Sequence, residues 1–276
     1  MSALLEVDDL WIRYRSGSFL TNRRKEPSVR GVCFDVAAGE TFGLVGESGS
    51  GKSSVGKAIL RLVQPERGVV RYDGQDVRSL RGRSLLEYRS QVQVVFQDPW
   101  SSLNPRATVG RALLEPLRRH RRVRRSAEGG RVAELLELVG LPPAHADRLP
   151  AQLSGGQRQR VAIARALAVE PRLIVCDEPV SALDVSTQSQ IANLLQDLQA
   201  ELGLAYLFIA HDLAVVHHLS HRIGVMSAGG LVECGPADEV YRRPQHAYTR
   251  RLLDAEPVPD PAVQRRRREE RRLRAG

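Results

Sequence analysis

Leu5, Val7, Leu10, Ile12 and Tyr14 alternate with polar residues over positions 4–14, the two-residue period of a strand with one buried face. Residues 16–28 are polar, with Asn22-Arg23-Arg24-Lys25-Glu26-Pro27 among them, and predict a loop or insertion. A strand pattern resumes over 32–36, and Ala38-Gly39-Glu40 predicts a turn. Next come an apolar run over 42–45 and helical spacing over 54–63. Residues 69–72 with the Asp73-Gly74 turn predict a hairpin. Residues 91–96 form another apolar strand, ending at Gln97-Asp98-Pro99. From 101 to about 169 the pattern turns helical, with breaks expected at Pro105, Gly129-Gly130 and Pro142-Pro143. Leu173-Ile174-Val175-Cys176 is a short strand. An amphipathic helix over 186–201 sets Ile191, Leu194, Leu195 and Leu198 on one face. A buried strand over 204–210, strand-like segments at 222–227 and 230–234, and a helical stretch to about 255 complete the pattern.

Four runs are apolar almost without interruption: 42–45, 92–96, 173–176 and 204–210. Strands buried on both faces read this way, so an α/β fold with a parallel sheet covered by helices is expected. Chemically capable residues follow each run directly: Gly46, Gln97, Asp177 with Glu178, and His211. Open α/β sheets bind ligands outside the carboxyl ends of their strands, so these four separated pieces are expected to meet at one site.

The run at 42–45 leads into Gly46-Glu47-Ser48-Gly49-Ser50-Gly51-Lys52-Ser53-Ser54, which fits the phosphate-loop pattern G-x-x-x-x-G-K-[ST]. Glycines let backbone N–H groups turn toward a phosphate, and the helix start behind them adds a positive dipole end. Lys52 can set an ammonium near the β- and γ-phosphates, and the Ser53 hydroxyl can ligate Mg²⁺. A Gly/Ser-rich turn is the plainer alternative, which strand before and helix after disfavour. Asp177 can hold Mg²⁺ directly or through water, and Glu178 can orient and deprotonate a water beside a γ-phosphate. A polar strand end is the alternative for both. Gln97 offers an amide oxygen to Mg²⁺ or a water. His211 can donate to a γ-phosphate or hold Glu178 in place. Leu153-Ser154-Gly155-Gly156-Gln157 opens a helix. Ser154 and Gln157 fit a capping box, while two glycines at the first positions suit a phosphate brought close to the helix start.

Composition adds limits. A chain of 276 residues with 42% hydrophobic content suffices for one large domain or a core with a subdomain. No stretch reaches the ~18 apolar residues of a membrane span, and the first residues lack the basic-then-apolar order of a signal peptide, so a cytoplasmic protein is expected. Cys33, Cys176 and Cys234 lie far apart and form no C-x-x-C, so buried, unpaired cysteines are expected rather than disulfides or a zinc site. The net charge of +9 comes from arginine, since only Lys25, Lys52 and Lys57 are lysines. A compact point charge at 52 suits phosphate, although the other two lysines have no such reason. Basic runs at 118–125 and 265–274 carry no interleaved aromatics, which favours solvated or membrane-proximal segments over a base-stacking surface.

The phosphate loop, Gln97, Leu-Ser-Gly-Gly-Gln at 153–157, Leu-Ile-Val-Cys-Asp-Glu-Pro at 173–179, Ser181-Ala182-Leu183-Asp184 and His211 occur in that order. The succession resembles the ATP-binding subunit of ABC transporters over about residues 4–255. Phe96-Gln97-Asp98-Pro99, Ser101-Ser102-Leu103-Asn104-Pro105-Arg106 and Glu178-Pro179-Val180-Ser181-Ala182-Leu183-Asp184-Val185-Ser186 look like the dipeptide/oligopeptide importer branch. So does Pro244-Gln245-His246-Ala247-Tyr248-Thr249 with the proline-rich stretch over 257–261, although the usual proline before the tyrosine is Ala247 here. Some relatives carry cysteines in this extension; this chain has none there, so no iron–sulfur site is expected.

The resemblance implies a P-loop NTPase (RecA-like) core with a mainly parallel sheet, an antiparallel β subdomain and an inserted helical subdomain. It implies an ATPase domain over 4–240, with its core at 4–97 and 169–240 and its helical part at 98–168, then an extension over 241–276. It implies ATP and Mg²⁺ as ligands, with Ser53, Gln97 and Asp177 at the metal. Two such subunits, copies or paralogues, would pair head to tail, so that one phosphate loop faces Ser154, Gly155, Gly156 and Gln157 of the other, with Asp184 at the interface. Gln97 and the helical subdomain would touch two membrane permease subunits at the cytoplasmic face, and an extracytoplasmic binding protein would deliver the solute. An adenine-stacking aromatic is expected upstream of the loop, with Tyr14 the candidate and Trp11 and Phe19 its rivals. Two other functions stay open at this point. One is a soluble ABC ATPase acting on nucleic acid, which the lack of a long coiled-coil insertion and of a second cassette disfavours. The other is a non-hydrolysing partner, which Glu178 and His211 disfavour.

Overall fold

A computed structural model describes residues 3–14, 26–98 and 103–255 of the chain. The positions expected at 15–25, at 99–102 and beyond 255, with Phe19 and the arginine run at 265–274 among them, lie outside the described residues. In chain order the elements are β1 (Leu5–Ile12), β2 (Val29–Val36), β3 (Thr41–Val45), α1 (Lys52–Ile59), β4 (Arg67–Tyr72), β5 (Gln75–Asp76), α2 (Gly82–Gln91) and β6 (Val92–Phe96). Then follow α3 (Val109–Arg119), α4 (Glu128–Leu138), α5 (Gly155–Leu167), β7 (Leu173–Asp177), α6 (Val185–Leu202) and β8 (Ala205–Ala210). The described residues end in α7 (Leu213–Leu219), β9 (Arg222–Ser227), β10 (Gly230–Pro236), α8 (Ala237–Arg242) and α9 (Ala247–Ala255).

Two sheets form. One is antiparallel, in the order β2-β1-β4-β5. The other runs β10-β9-β3-β8-β7-β6, with β9, β3, β8, β7 and β6 parallel and β10 antiparallel at its edge. Side-chain alternation explains the uninterrupted apolar runs. Leu173 and Val175 of β7 enter one core, shared with the antiparallel sheet and α1. Ile174 and Cys176 enter the other, shared with the helices of 109–167 and with α6 and α7. A strand between two cores has no polar face to show. The expectation of double burial holds for β3, β7 and β8 but fails for β6, an edge strand on which only Val92 and Val95 are fully buried.

Several local expectations are corrected. The helix after the phosphate loop begins at Lys52 and stops at Ile59, short of 63. Arg61 takes a left-handed φ of 55°, while the Leu62 and Arg61 N–H groups donate to the Lys57 and Ala58 carbonyls, a Schellman close. Gly129 and Gly130 do not break the chain but lie in the first turn of α4, where burial of Val132, Leu135 and Leu136 outweighs their ~1 kcal/mol penalties. The hydrophobic pattern does not predict helices α2 and α7. Cys33 and Cys234 are exposed and only Cys176 is buried, while all three are free thiols as expected.

Helix α2 braces the helix behind the phosphate loop. The buried Tyr88 hydroxyl donates to the Ile59 carbonyl, an acceptor at the last turn of α1 with no partner inside its own helix. Tyr88→Phe leaves that carbonyl unpaired and keeps the ring, so a loss of about 1–2 kcal/mol is expected. A urea midpoint lowered at constant slope reports it, and an unmoved midpoint denies the bond any weight.

Candidate functional site

Register builds the site. Val45 of β3 pairs with Ala210 of β8, Ile209 with Asp177 of β7, and Asp177 with Phe96 of β6. The residues that follow, Gly46, His211, Glu178 and Gln97, therefore leave the sheet at one edge, side by side. Segments more than a hundred positions apart are brought together by strand pairing alone.

The loop from Gly46 to Gly51 bends tightly against its surroundings. A Cβ on Gly46 would stand 2.2 Å from the Met226 carbonyl oxygen, and one on Gly51, at φ 105°, would stand 2.4 Å from that of Ser28. Both glycines are thus demanded by the protein's own backbone as well as by any phosphate. Lys52 is buried, and its Nζ donates to the Gly46 and Glu47 carbonyls at 2.6 and 2.9 Å. Burial draws its pKa down, against the pull of the Glu178, Asp177 and Glu47 carboxylates. Ser53 Oγ donates to Asp177 Oδ1 at 2.8 Å. Burial pushes the Asp177 carboxyl up, with Glu178 adding to it, although the Ser53 bond opposes. A cationic ligand would relieve that shift.

Ser53 and Asp177 fit a magnesium ion. Both are hard oxygen donors, and cis ligands of an octahedral ion at 2.0–2.1 Å lie about 2.9 Å apart. Gln97 is exposed, one residue beyond the pairing of Phe96 with Asp177.

Glu178 is half-buried and has a left-handed backbone, φ 51°. Its N–H donates to the Ile209 carbonyl, extending the β7–β8 ladder, and its carbonyl accepts from the Ser181 N–H and hydroxyl. A non-glycine residue held this way costs of order 1–3 kcal/mol and is kept where the surroundings over-determine it. His211 Nδ1 lies 3.4 Å from Glu178 Oε2.

Ser154 caps α5, accepting from the Gln157 N–H while the Gln157 side chain accepts from the Ser154 N–H. The capping box and the two glycines are both present. A Cβ on Gly156 would come within 2.6 Å of Thr187 Cγ2, and one on Gly155 within 3.3 Å of Leu183. The start of α5 is therefore packed on the start of α6, which Asp184 caps by accepting the Thr187 N–H and hydroxyl at 2.9 and 2.8 Å. Those bonds hold the Asp184 carboxyl below its usual range. Val185 beside it is 78% exposed. The structure thus gathers the candidates into two groups: Gly46 to Ser54 with Gln97, Asp177, Glu178 and His211, and Ser154 to Gln157 with Asp184.

Tyr14 donates its hydroxyl to Ser54 Oγ at 3.1 Å and remains 42% exposed, which sets its ring beside the loop. Trp11 is engaged elsewhere: its indole N–H donates to Asp9, and Arg67 lies over its ring. Tyr248 accepts from the Glu47 N–H at 3.0 Å. Sequence reasoning gave it no place at the loop, and no local pattern links positions 201 residues apart.

Comparison with known proteins gives consistent findings. The family described as "ABC transporter" matches residues 29–181, and "Oligopeptide/dipeptide transporter, C-terminal region" matches residues 232–275. The "Glutathione import ATP-binding protein GsiA" of Pectobacterium atrosepticum is 52% identical over 269 residues, 97% of this chain and 43% of that protein. Its namesake in Escherichia coli (strain K12) is 51% identical over 267 residues, 96% of this chain and 43% of that protein. The chain therefore spans less than half the length of these curated relatives. Among solved structures, cbiO1 from Clostridium perfringens, part of the ABC transporter complex cbiONQ, superposes with a TM-score of 0.76 at 26% identity, covering 88% of this chain and 92% of that one. The ATP-binding cassette MJ0796, a dimer in a post-hydrolysis state bound to ADP and Pi, gives 0.73 at 31% identity, covering 84% of this chain and 98% of that one.

Proposed function

We propose for this chain, which belongs to the ABC transporter family, the role of ATP-hydrolysing subunit of an importer for peptides or similar small solutes. The observation that carries it is the strand register, which lines up Gly46, Gln97, Glu178 and His211 beside the Ser53–Asp177 pair. The match of the C-terminal region and the likeness to glutathione importers support the peptide branch. Transport is favoured over action on nucleic acid, because the relatives and the solved cbiO1 neighbour are transporter components.

In this reading the loop over 46–54 and the Lys52 ammonium bind the phosphates, and Ser53, Asp177 and Gln97 would hold magnesium. Magnesium, when bound, neutralises charge developing on the phosphates. Glu178 holds the attacking water and takes its proton. His211 keeps the Glu178 carboxylate aimed. Tyr14 offers its ring to the adenine. Ser154, Gly155, Gly156 and Gln157, with Asp184, complete the site of a second ATPase subunit paired head to tail. The exposed Val185 suits such an interface. The core at 4–97 and 169–240, the helical part at 98–168 and the extension at 241–276 divide the work. Gln97 and the helical part face two permease subunits, and an extracytoplasmic binding protein supplies the solute. Among the described residues no helix is long and apolar enough to cross a membrane, so attachment to the membrane's cytoplasmic face would come through the permease.

The decisive experiment is gentle purification from membranes with a phosphate-release assay. Two multi-span permease proteins should be retained, and turnover should vanish with EDTA and return with Mg²⁺. Retention of nucleic acid with salt-sensitive binding, and no permease, would sink the importer.

A further inference from the structure

The C-terminal region reaches the phosphate loop. Helix α9 is fixed to β10 through Glu233, whose carboxylate accepts from the Gln245 N–H at 2.7 Å, the His246 N–H at 3.0 Å and the Thr249 hydroxyl at 2.5 Å. The His246 ring caps the helix by accepting from the Tyr248 N–H at 3.1 Å. Thr249 is fully buried, and Tyr248 is 7% exposed within the same core as Val45, the last residue before the loop. From this anchored helix the Tyr248 hydroxyl accepts the Glu47 N–H at 3.0 Å. The carbonyl of that same Glu47 accepts from Lys52 Nζ at 2.9 Å. Both backbone polar groups of Glu47 are therefore spoken for, the carbonyl within the loop by Lys52 and the Ser50 N–H, and the N–H by the C-terminal region.

We propose that Tyr248 is a positioning residue for nucleotide binding: its hydroxyl fixes the entry limb of the phosphate loop through the Glu47 amide and so links docking of α9 to occupancy of the site. The inference rests on the reading of 46–53 as the phosphate site and goes beyond it by giving the C-terminal region a part in that site. An amide without its partner lets the limb wander, and the ligand must then restore the order that Tyr248 supplied in advance. By linkage, a ligand that orders the loop must tighten the Tyr248 contact by the same factor.

The test uses the full chain and ADP, which avoids turnover. Tyr248→Phe keeps the buried ring and removes only the hydroxyl that accepts the Glu47 N–H. Calorimetric titration with Mg·ADP should show affinity weakened about 3- to 10-fold, the weight of one net hydrogen bond. Hydrogen exchange should show ADP protecting 247–255 in the wild type and failing to protect it in Tyr248→Phe. Wild-type affinity in the variant overturns the proposal, as does an α9 in the wild type that ignores ADP. A merely structural tie would lower the melting temperature and leave both readouts unmoved. Should Tyr248→Phe not fold, Glu233→Gln, which loosens the anchor of α9 without touching the loop, should weaken ADP in the same direction, and unchanged affinity there overturns the idea. A wild-type chain that does not bind ADP removes the phosphate site itself and the proposal with it, a failure distinct from the others.

Discussion

Glu178→Gln is expected to leave ATP binding nearly intact while hydrolysis falls by ~10²–10⁴-fold, the usual weight of a general base. Backbone geometry makes the substitution clean. The Glu178 N–H is bonded to Ile209 and its carbonyl to Ser181, so the left-handed turn at φ 51° is set by main-chain bonds that a glutamine keeps. The amide matches the carboxylate in shape and cannot take a proton from water. His211 Nδ1, 3.4 Å from Oε2, can still bond to the amide oxygen. Phosphate release under saturating Mg·ATP measures turnover, and fluorescent ATP titration measures binding. A variant that turns over at the wild-type rate takes Glu178 out of the mechanism. One that no longer binds ATP would make it a ligand of the nucleotide rather than the base.

Strand burial explains why so much of this site is legible in the sequence. A strand between two cores shows only apolar side chains, so β3, β7 and β8 announce themselves, and the first polar residue after each marks the sheet's edge. Other features leave weaker traces. The edge strand β6 mixes Gln93 with valines and reads as doubly buried, because a short run cannot tell an edge from a centre. Helix α2 buries only Tyr88 and Ser90, so its apolar period is faint. Helix α7 is short, but Asp212, which accepts from the Ala214 and Val215 N–H groups, was an available start signal. Gly129 and Gly130 misled because propensity is a weak prior and tertiary burial overrides it. Exposure of Cys33 and Cys234 depends on which strand face they occupy, and a lone thiol in a strand does not tell. The Tyr248 contact to Glu47 exists only because α9 packs against the loop after β3, and no periodicity encodes it.

Ser154→Arg is expected to abolish turnover, by roughly 10²-fold or more, the scale seen when one preorganised donor to a developing charge is lost, while ATP binding by the isolated monomer persists. The geometry within one chain motivates this. Ser154 is exposed and bonds to its own helix, and the glycines after it lie against Leu183 and Thr187. None of these neighbours belongs to the loop at 46–53, as the proposed head-to-tail pairing requires. A competing account is the capping box: loss of the hydroxyl costs α5 its cap, about 1 kcal/mol. Ser154→Ala separates the two, since it loses the same cap without adding bulk or charge. The arginine variant should melt near the alanine variant yet fall well below it in turnover, with fluorescent ATP titration on dilute monomer matching the wild type. Loss of ATP binding by that monomer would place Ser154 in its own subunit's site and overturn the head-to-tail arrangement. Equal turnover in the alanine and arginine variants would reduce the serine to a helix cap.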